Sequence, residues 1–136
     1  MHRRRHLLLV ALLLSGLAAC TTGPMSAGGS TAQPTVVFFT ADSAALDEPA
    51  RAIIRKVAEA ARANPSTPVQ VRGFAAPDTG SPAFNSILSR ARAQNVADGL
   101  VAAGVPQRRV RIESRGAVPF EMMPTEARRV EIVIGT

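Results

Sequence analysis

An arginine lies within the apolar face of a predicted helix. A spacing of four residues separates Leu88, Arg92, Val96 and Leu100, so the four project onto one side of an α-helix. A guanidinium on that side needs either an anion or a route to solvent. The N-terminus of the same helix, about two turns earlier, offers free N–H groups and partial positive charge, which suit a carboxylate.

A loop with an acidic residue leads into the same end of this helix. Asp78 lies in the turn-rich segment 75–82, where its carboxylate could accept an ammonium group while Arg92 and the helix N–H groups hold a carboxylate. Such a pocket would complement a zwitterionic, amino-acid-like ligand. The same two residues also fit a second hypothesis, an internal Asp78–Arg92 ion pair that fixes the loop.

Few residue types are available for catalysis. Both histidines lie in the first six residues, and the chain has one Cys, no Trp and no Tyr. Removal of the N-terminus would leave no His, which excludes Ser-His-Asp triads, His-based proton transfer and His-ligated metals. Paired carboxylates near Asp42, Asp47 and Glu48 are the remaining option for hydrolysis, but capping of the following helix explains them more simply. We therefore predict that the protein is not an enzyme and holds no metal or cofactor.

Residues 1–19 have the layout of a secretory signal. Three arginines (3–5) precede the apolar run LLLVALLL (7–14) and a stretch of small residues, and the apolar segment is shorter than the ~20 residues that span a bilayer. An uncleaved anchor or a buried helix is the alternative. The sequence Leu17-Ala18-Ala19-Cys20 resembles the bacterial lipobox. This resemblance implies cleavage before Cys20, a diacylglyceryl group on its sulfur and acylation of the new amine with a fatty acid such as palmitate.

The segment after the cysteine reads as a tether. Two or more acyl chains anchor a protein stably to a membrane, whereas a single chain binds only marginally. The residue after the cysteine is Thr21 rather than Asp, and the lipobox resemblance then implies sorting to the outer membrane. Residues 20–33 comprise the lipidated Cys20 and TTGPMSAGGSTAQ, which is uncharged and flexible in composition. Residues 34–136 then form one domain, which would face the periplasm.

The hydrophobic periodicity of residues 34–136 predicts the element order β-α-β-α-β-β. The predicted elements are strands 36–39 and 69–73, helices from Asp47 to Asn64 and from Phe84 or Asn85 to Ala103, and strands 109–113 and 129–134. Each strand has one apolar and one polar face, so both helices should cover one face of a mixed four-stranded sheet. The predicted fold class is therefore α/β of the α+β type, a two-layer sandwich.

The basic charge of the chain does not indicate a nucleic-acid partner. Removing the three N-terminal arginines lowers the formal net charge from +6 to +3. The remaining charges concentrate on the predicted polar sheet face, where those of the third and fourth strands could pair across the sheet, and no stacking aromatic is expected among those arginines. The polar face comprises Gln70, Arg72, Arg109, Arg111, Glu113, Arg129 and Glu131.

Most of the segment 36–134 resembles the OmpA-like peptidoglycan-binding domain shared by OmpA C-terminal regions, the peptidoglycan-associated lipoprotein and the MotB stator protein. The most specific match is Asn85-Ser86-Ile87-Leu88-Ser89-Arg90-Ala91-Arg92-Ala93, which follows the family pattern N-x-x-L-S-x-x-R-A. The resemblance implies that Arg92 and an Asp of the preceding loop hold the zwitterionic end of diaminopimelate. It also makes Asn85, Leu88 and Arg128 candidate ligand-binding residues.

Two positions depart from the family pattern. The family loop reads G-H-T-D-x-x-G, whereas Gly73 to Gly80 is one residue longer, so the family's Asp column falls on Pro77 and Asp78 lies one place further. The family's Asn before R-R-V is Ala127 here. The resemblance implies an outer-membrane lipoprotein that binds peptidoglycan non-covalently and links membrane to wall. The alternative is an OmpA-like scaffold or accessory lipoprotein with a degenerate ligand site and other envelope proteins as partners.

Overall fold

The computed structural model describes residues 32–135, which form a four-stranded mixed sheet and two helices, as the sequence predicted. The predicted signal peptide, Cys20 and most of the predicted tether lie outside the described residues. The elements are β1 Thr35–Phe38, α1 Glu48–Ala63, β2 Val69–Ala75, α2 Pro82–Ala102, β3 Val110–Ala117 and β4 Arg129–Ile134. Within residues 32–135, neither helix is both long enough and apolar enough to cross a bilayer.

The sheet has the strand order β1-β4-β2-β3, with β2 and β3 parallel and the other two pairs antiparallel. The last strand of the chain therefore lies between the first two. The predicted pairing of charges between β3 and β4 is wrong, because β2 separates these strands. Arg72 of β2 instead lies in register with both Glu113 and Glu131, and its Nε is 3.5 Å from Glu113 Oε2.

The polar sheet face does contain an aromatic contact, which the sequence analysis did not expect. The Arg129 guanidinium lies 4.3 Å from the ring centroid of Phe74, within the range of a cation–π interaction. Phe74 is buried, so its ring does not offer a stacking surface for nucleic-acid bases.

One apolar face of the sheet carries the core, and both helices pack on it. Alternate residues of the strands and one stripe of each helix belong to a single buried cluster, which is the arrangement expected for a sheet with one polar face. The sheet contributes Val37, Val69, Val71, Val130 and Ile132 to the cluster, and the helices contribute Ala50, Ile54, Val57, Ala58, Ala61, Ala93, Val96, Ala97 and Leu100.

The ends of the helices follow their local sequence. Asp47 is the N-cap of α1, and its Oδ1 accepts the N–H of Ala50 at 2.8 Å, which supports the capping interpretation of this carboxylate. At the end of α2 the predicted cap Gly104 has φ +98°. The N–H of Gly104 donates to Val101 O and that of Val105 to Leu100 O, both at 3.0 Å, the bonds of a Schellman motif.

The prediction that Arg109 lies on the polar sheet face is wrong. Arg109 belongs to a short 3₁₀ turn before β3 and is buried. Its Nε donates to Thr67 O at 2.9 Å, and its Nη2 donates to Ala61 O at 2.8 Å and to Asn64 O at 2.7 Å. The guanidinium thus donates to carbonyls at the end of α1 that lack a partner within the helix. The C-terminal end of a helix is a favourable position for a cation.

Helix α2 lies unusually close to β2. A Cβ atom placed on Gly73 would lie 2.0 Å from Ser89 O, so this position tolerates no side chain without a shift of backbone. Ser89 is fully buried at the same contact. Its Oγ is 2.6 Å from Ser114 Oγ and accepts the N–H of Gly116 at 3.1 Å, which fastens α2 to β3 as well.

We predict that Gly73→Ala destabilises the domain, because the new methyl group overlaps a carbonyl of α2. The expected loss in the free energy of unfolding is about 1–3 kcal/mol, typical of an overpacked core, measured by urea denaturation. Gly116→Ala is the matched control: a Cβ there meets nothing within 4 Å, although φ is +65°, so only the backbone strain is added, about 1 kcal/mol. A Gly73→Ala variant as stable as the wild type would contradict this close approach.

Candidate functional site

Helix α2 begins earlier than predicted, at Pro82, and its first turn is already capped. Ser81 is the N-cap, and its Oγ accepts the N–H of Phe84 at 3.1 Å. Pro82 has no N–H to offer. The expectation that free N–H groups at this helix end hold a ligand carboxylate is therefore weakened, since the proline and the serine remove two of its donors.

Arg92 is fully buried and bonded to backbone. It has no solvent-exposed surface. Its Nε donates to Ser43 O at 2.8 Å, its Nη1 to Phe74 O at 3.0 Å and its Nη2 to Thr40 O at 3.0 Å. The guanidinium thereby ties α2 to the end of β2 and to the connection between β1 and α1. Neutral backbone carbonyls take the place of the anion or route to solvent that the sequence analysis expected.

The surroundings of Arg92 act on its proton affinity in opposite directions. The net effect lowers the pKa of Arg92 to about 10: burial is the largest cause, the positive charge of Arg128 acts in the same direction, and the carboxylate of Asp42 opposes both. The guanidinium stays charged at neutral pH. It also lies 5.3 Å from the ring centroid of Phe39, an additional favourable contact for a buried cation.

Asp78 pairs with Arg128, and the hypothesis of an internal Asp78–Arg92 pair is wrong. The Arg128 Nη2 atom donates to Asp78 Oδ2 at 2.7 Å. This bond joins the loop before α2 to the start of β4, and it brings together two residues of the predicted site. Both side chains keep part of their surface exposed, 17% for Arg128 and 28% for Asp78, so solvent and ligands reach the pair.

The motif on α2 places several buried residues on one side of the helix. Asn85, Leu88 and Ser89 are buried, and the spacing of Asn85 and Arg92, seven residues, places them two turns apart on one side of the helix. Asn85 Oδ1 has no hydrogen-bond partner among residues 32–135. A buried amide oxygen without a partner is rare in native structures.

Sequence reasoning missed the connection between β1 and α1. Thr40 and Ser43 supply carbonyls to Arg92, and Asn95 Nδ2 of α2 donates to Ala44 O at 2.7 Å. Asp42 adopts φ +51°, and its Oδ1 accepts the hydroxyl of Thr79 at 2.7 Å. This connection holds Arg92 and Asn95 mainly through backbone carbonyls, so no residue type or spacing could have predicted its role.

The connection between β3 and β4, which leads to Arg128, is held by a carboxylate. Glu126 accepts the N–H groups of Glu121 and Met123 at 3.1 Å and that of Met122 at 3.3 Å. The hydrogen bonds from Glu121 and Met123 hold the pKa of Glu126 below its ordinary value. Arg129 Nη1 donates to Glu126 O at 2.6 Å, so the loop is fixed on both sides of Arg128.

The arrangement is suited to binding an ion pair or a zwitterion. A cation and an anion, Arg128 and Asp78, meet at the surface, and a buried cation, Arg92, lies behind them. Across residues 32–135 no cluster of three His, Cys, Asp or Glu side chains is suited to hold a metal ion. The hydroxyl of Ser89 on the motif donates to Ser86 O and contacts Ser114 Oγ and the N–H of Gly116 in β3.

The OmpA family model matches residues 38–129 of this chain. The chain therefore belongs to the OmpA family, and the resemblance drawn from the α2 motif is confirmed. The match covers both helices, β2 and β3, reaches only the last residue of β1 and the first residue of β4, and includes every residue discussed at the candidate site.

Individual relatives agree with this assignment. Outer membrane protein 40 of Porphyromonas gingivalis is 38% identical over 82 residues, which cover 60% of this chain and 21% of that protein. The chain thus spans about a fifth of that relative's length. The crystal structure of the C-terminal domain of Helicobacter pylori MotB is 28% identical with a TM-score of 0.63 and covers 76% of this chain and 84% of that one.

A third relative shares the fold. The crystal structure of the peptidoglycan-associated lipoprotein from Burkholderia pseudomallei is 22% identical with a TM-score of 0.66, and the match covers 72% of this chain and 87% of that chain. The two-layer arrangement of a mixed sheet and two helices is common to these proteins.

We predict that the connection from Glu121 to Met123 loosens in acid. The ionised carboxylate of Glu126 holds the connection in place above the ordinary pKa of 4.5. This stabilisation is lost as the pH falls through the lowered pKa of Glu126 and the carboxyl group is protonated. The amide resonances of Met122 and Met123 in a ¹H–¹⁵N NMR titration should shift with a midpoint below pH 4.5 in the wild type. In Glu126→Gln, which cannot ionise, they should stay constant. A midpoint at or above the ordinary value would contradict the hydrogen bonds described.

Proposed function

We propose that the protein is an outer-membrane lipoprotein that binds peptidoglycan non-covalently, through the diaminopimelate of its stem peptides, and so links membrane and cell wall. The observation that carries this proposal is the surface ion pair of Asp78 and Arg128 beside the α2 motif. Membership of the OmpA family supports it. The name of the Burkholderia relative states that it is associated with peptidoglycan.

The chemistry of the proposed ligand matches the site. The free end of diaminopimelate carries one ammonium and one carboxylate group, and Asp78 and Arg128 offer the two opposite charges. Insertion of the ligand would exchange one protein ion pair for two pairs between protein and ligand. Asn85 Oδ1, buried and without a partner among the described residues, would accept a further hydrogen bond.

Lipid anchoring is supported by the sequence of the N-terminus. The lipobox-like LAAC segment follows a basic and an apolar stretch, and acyl chains on Cys20 would hold the domain at the periplasmic side of the outer membrane. A linker of 13 residues reaches at most about 45 Å when extended. The wall-binding domain would therefore work close to the membrane.

The second candidate function is an accessory or scaffold lipoprotein of an envelope complex. The pairing of Asp78 with Arg128 favours it, because each charge already has a partner without a ligand. The longer loop, with Asp78 one place beyond the family's Asp column, favours it as well. In that case the domain would bind envelope proteins and leave peptidoglycan unbound.

Sacculus binding distinguishes the two candidates. The full chain in mild detergent should sediment with purified sacculi that contain diaminopimelate. Asp78→Asn and Arg128→Gln should each weaken binding about tenfold, since each removes one charged contact to the ligand. Arg55→Gln is the control, because it breaks a comparable ion pair on the exposed face of α1, Arg55 to Glu48 at 2.9 Å. A folded wild type that stays in the supernatant would exclude the first proposal and favour the scaffold.

The anchor is tested separately. The wild-type protein should be recovered with membranes, and mass spectrometry should find an N-terminus that begins at Cys20 and carries acyl chains. Cys20→Ser has no thiol to acylate, so both the acyl chains and the cleavage before residue 20 should be lost. A wild-type protein recovered with membranes, with an intact N-terminus and no acyl chains, would show that the apolar segment 7–19 itself is the anchor.

A further inference from the structure

We infer that the groove between α1 and α2 docks an amphipathic helix of a partner protein, a helix with one acidic and one basic flank. This inference goes beyond the proposed function, because the groove shares no residue with the pair of Asp78 and Arg128. It does not depend on whether the domain binds peptidoglycan.

An apolar floor lies between the two helices. The groove has a volume of about 300 Å³, and α1, α2 and the connection before α1 form its walls. It continues into an adjoining cavity of about 460 Å³ that adds Asn95 and Asp98 of α2. Apolar side chains that a partner inserts there leave water, which is the main driving force of association. The apolar lining comprises Leu46, Ile54, Gly99, Ala102 and Ala103.

Gly99 keeps part of this floor open. It lies inside α2, where a glycine costs helix stability relative to alanine. A Cβ atom on Gly99 would lie 3.2 Å from Ile54 Cγ2 and 3.9 Å from Leu46 Cδ1. A side chain at this position would therefore project toward two lining residues, and the glycine leaves that space free.

The two walls of the groove carry opposite charges that are available to a partner. On the α1 wall, Arg51 Nε donates to Leu46 O at 3.2 Å, and its two Nη groups have no partner within residues 32–135. On the α2 wall, Asp98 Oδ1 accepts an amide N–H of Gln94 at 2.9 Å, and its Oδ2 has no partner within the same part of the chain. Both side chains belong to exposed residues, so a docking helix can reach them.

This charge pattern selects the kind of partner. A purely acidic segment or an anionic lipid would attract Arg51 but meet repulsion from Asp98. A helix satisfies both walls when its apolar side faces the floor, an acidic residue faces Arg51 and a basic residue faces Asp98. Helix-in-groove docking is a common mode of protein recognition. Arg55, on the same wall as Arg51, contributes less because it already pairs with Glu48 at 2.9 Å.

The test uses three designed peptides of about 16 residues, a length at which an isolated helix can form, each with leucines along one face. The first has glutamates on one flank and lysines on the other, the second has lysines on both flanks, and the third has glutamates on both. Binding to the full chain in mild detergent is followed by fluorescence anisotropy, with detergent alone as the background. The wild type should bind the first peptide about tenfold more tightly than either of the others.

Charge reversals in the groove should change which peptide binds best. Arg51→Glu makes both walls acidic and should select the second peptide, whereas Asp98→Lys makes both walls basic and should select the third. Ala102→Phe, which places a ring in the groove from an exposed position, should weaken all three about tenfold. Arg111→Glu is the matched control, because it makes the same charge change on the exposed sheet face, and it should keep the wild-type order.

The outcomes separate this inference from the proposed function. A folded wild type that binds no peptide above background, or an Arg51→Glu variant that keeps the wild-type order, would overturn the inference. A wild type that is dimeric by light scattering, and that Ala102→Phe makes monomeric, would overturn it in favour of a second copy of the chain. Sedimentation of Arg51→Glu and Ala102→Phe with sacculi should equal that of the wild type, so either proposal can fail while the other stands.

Discussion

The guanidinium of Arg92 is a full charge in a place without water, and the shape of the site follows from that constraint. A buried cation must be surrounded by acceptors or it destabilises the fold. Here the acceptors are carbonyls of Thr40, Ser43 and Phe74, so two connections must approach α2 and stay there. The close contact of Gly73 with α2 brings the end of β2 within reach. The side chain of Arg92 thereby fixes the connection between β1 and α1 and the end of β2 relative to α2.

A similar solution appears at the other buried arginine. Arg109 lies where α1 ends and donates to carbonyls of Ala61, Asn64 and Thr67. Both residues show that a basic residue in this sequence need not be a surface charge, although strand periodicity placed Arg109 on the polar face. Arg128 is the contrasting case, a guanidinium that stays partly exposed and is matched by a carboxylate. Arginines of one small domain thus occupy two different environments, one bonded to backbone carbonyls and one paired with a carboxylate at the surface.

The sequence predicted the elements and their order because hydrophobic periodicity and capping are local signals. The stripe of α1, the cap at Asp47 and the alternation of β4 each lie within a few residues, and the structure confirms them. The sequence could not predict the pairing of β4 with β2 or the partner of Asp78, because both depend on contacts between distant parts of the chain. The sequence also could not predict that the segment 40–46 accepts hydrogen bonds from α2, because every residue has a backbone carbonyl and the composition does not indicate which ones are used.

The strand order has a consequence for how the chain folds. Strand β4, the last element, fills the centre of the sheet, and β1 and β2 meet only through it. A growing chain that ends before Arg129 therefore holds β1 without a neighbouring strand and leaves much of its apolar face open. Contacts between the two ends of the sequence form late and slowly. This strand order postpones completion of the sheet until the last strand has been synthesised.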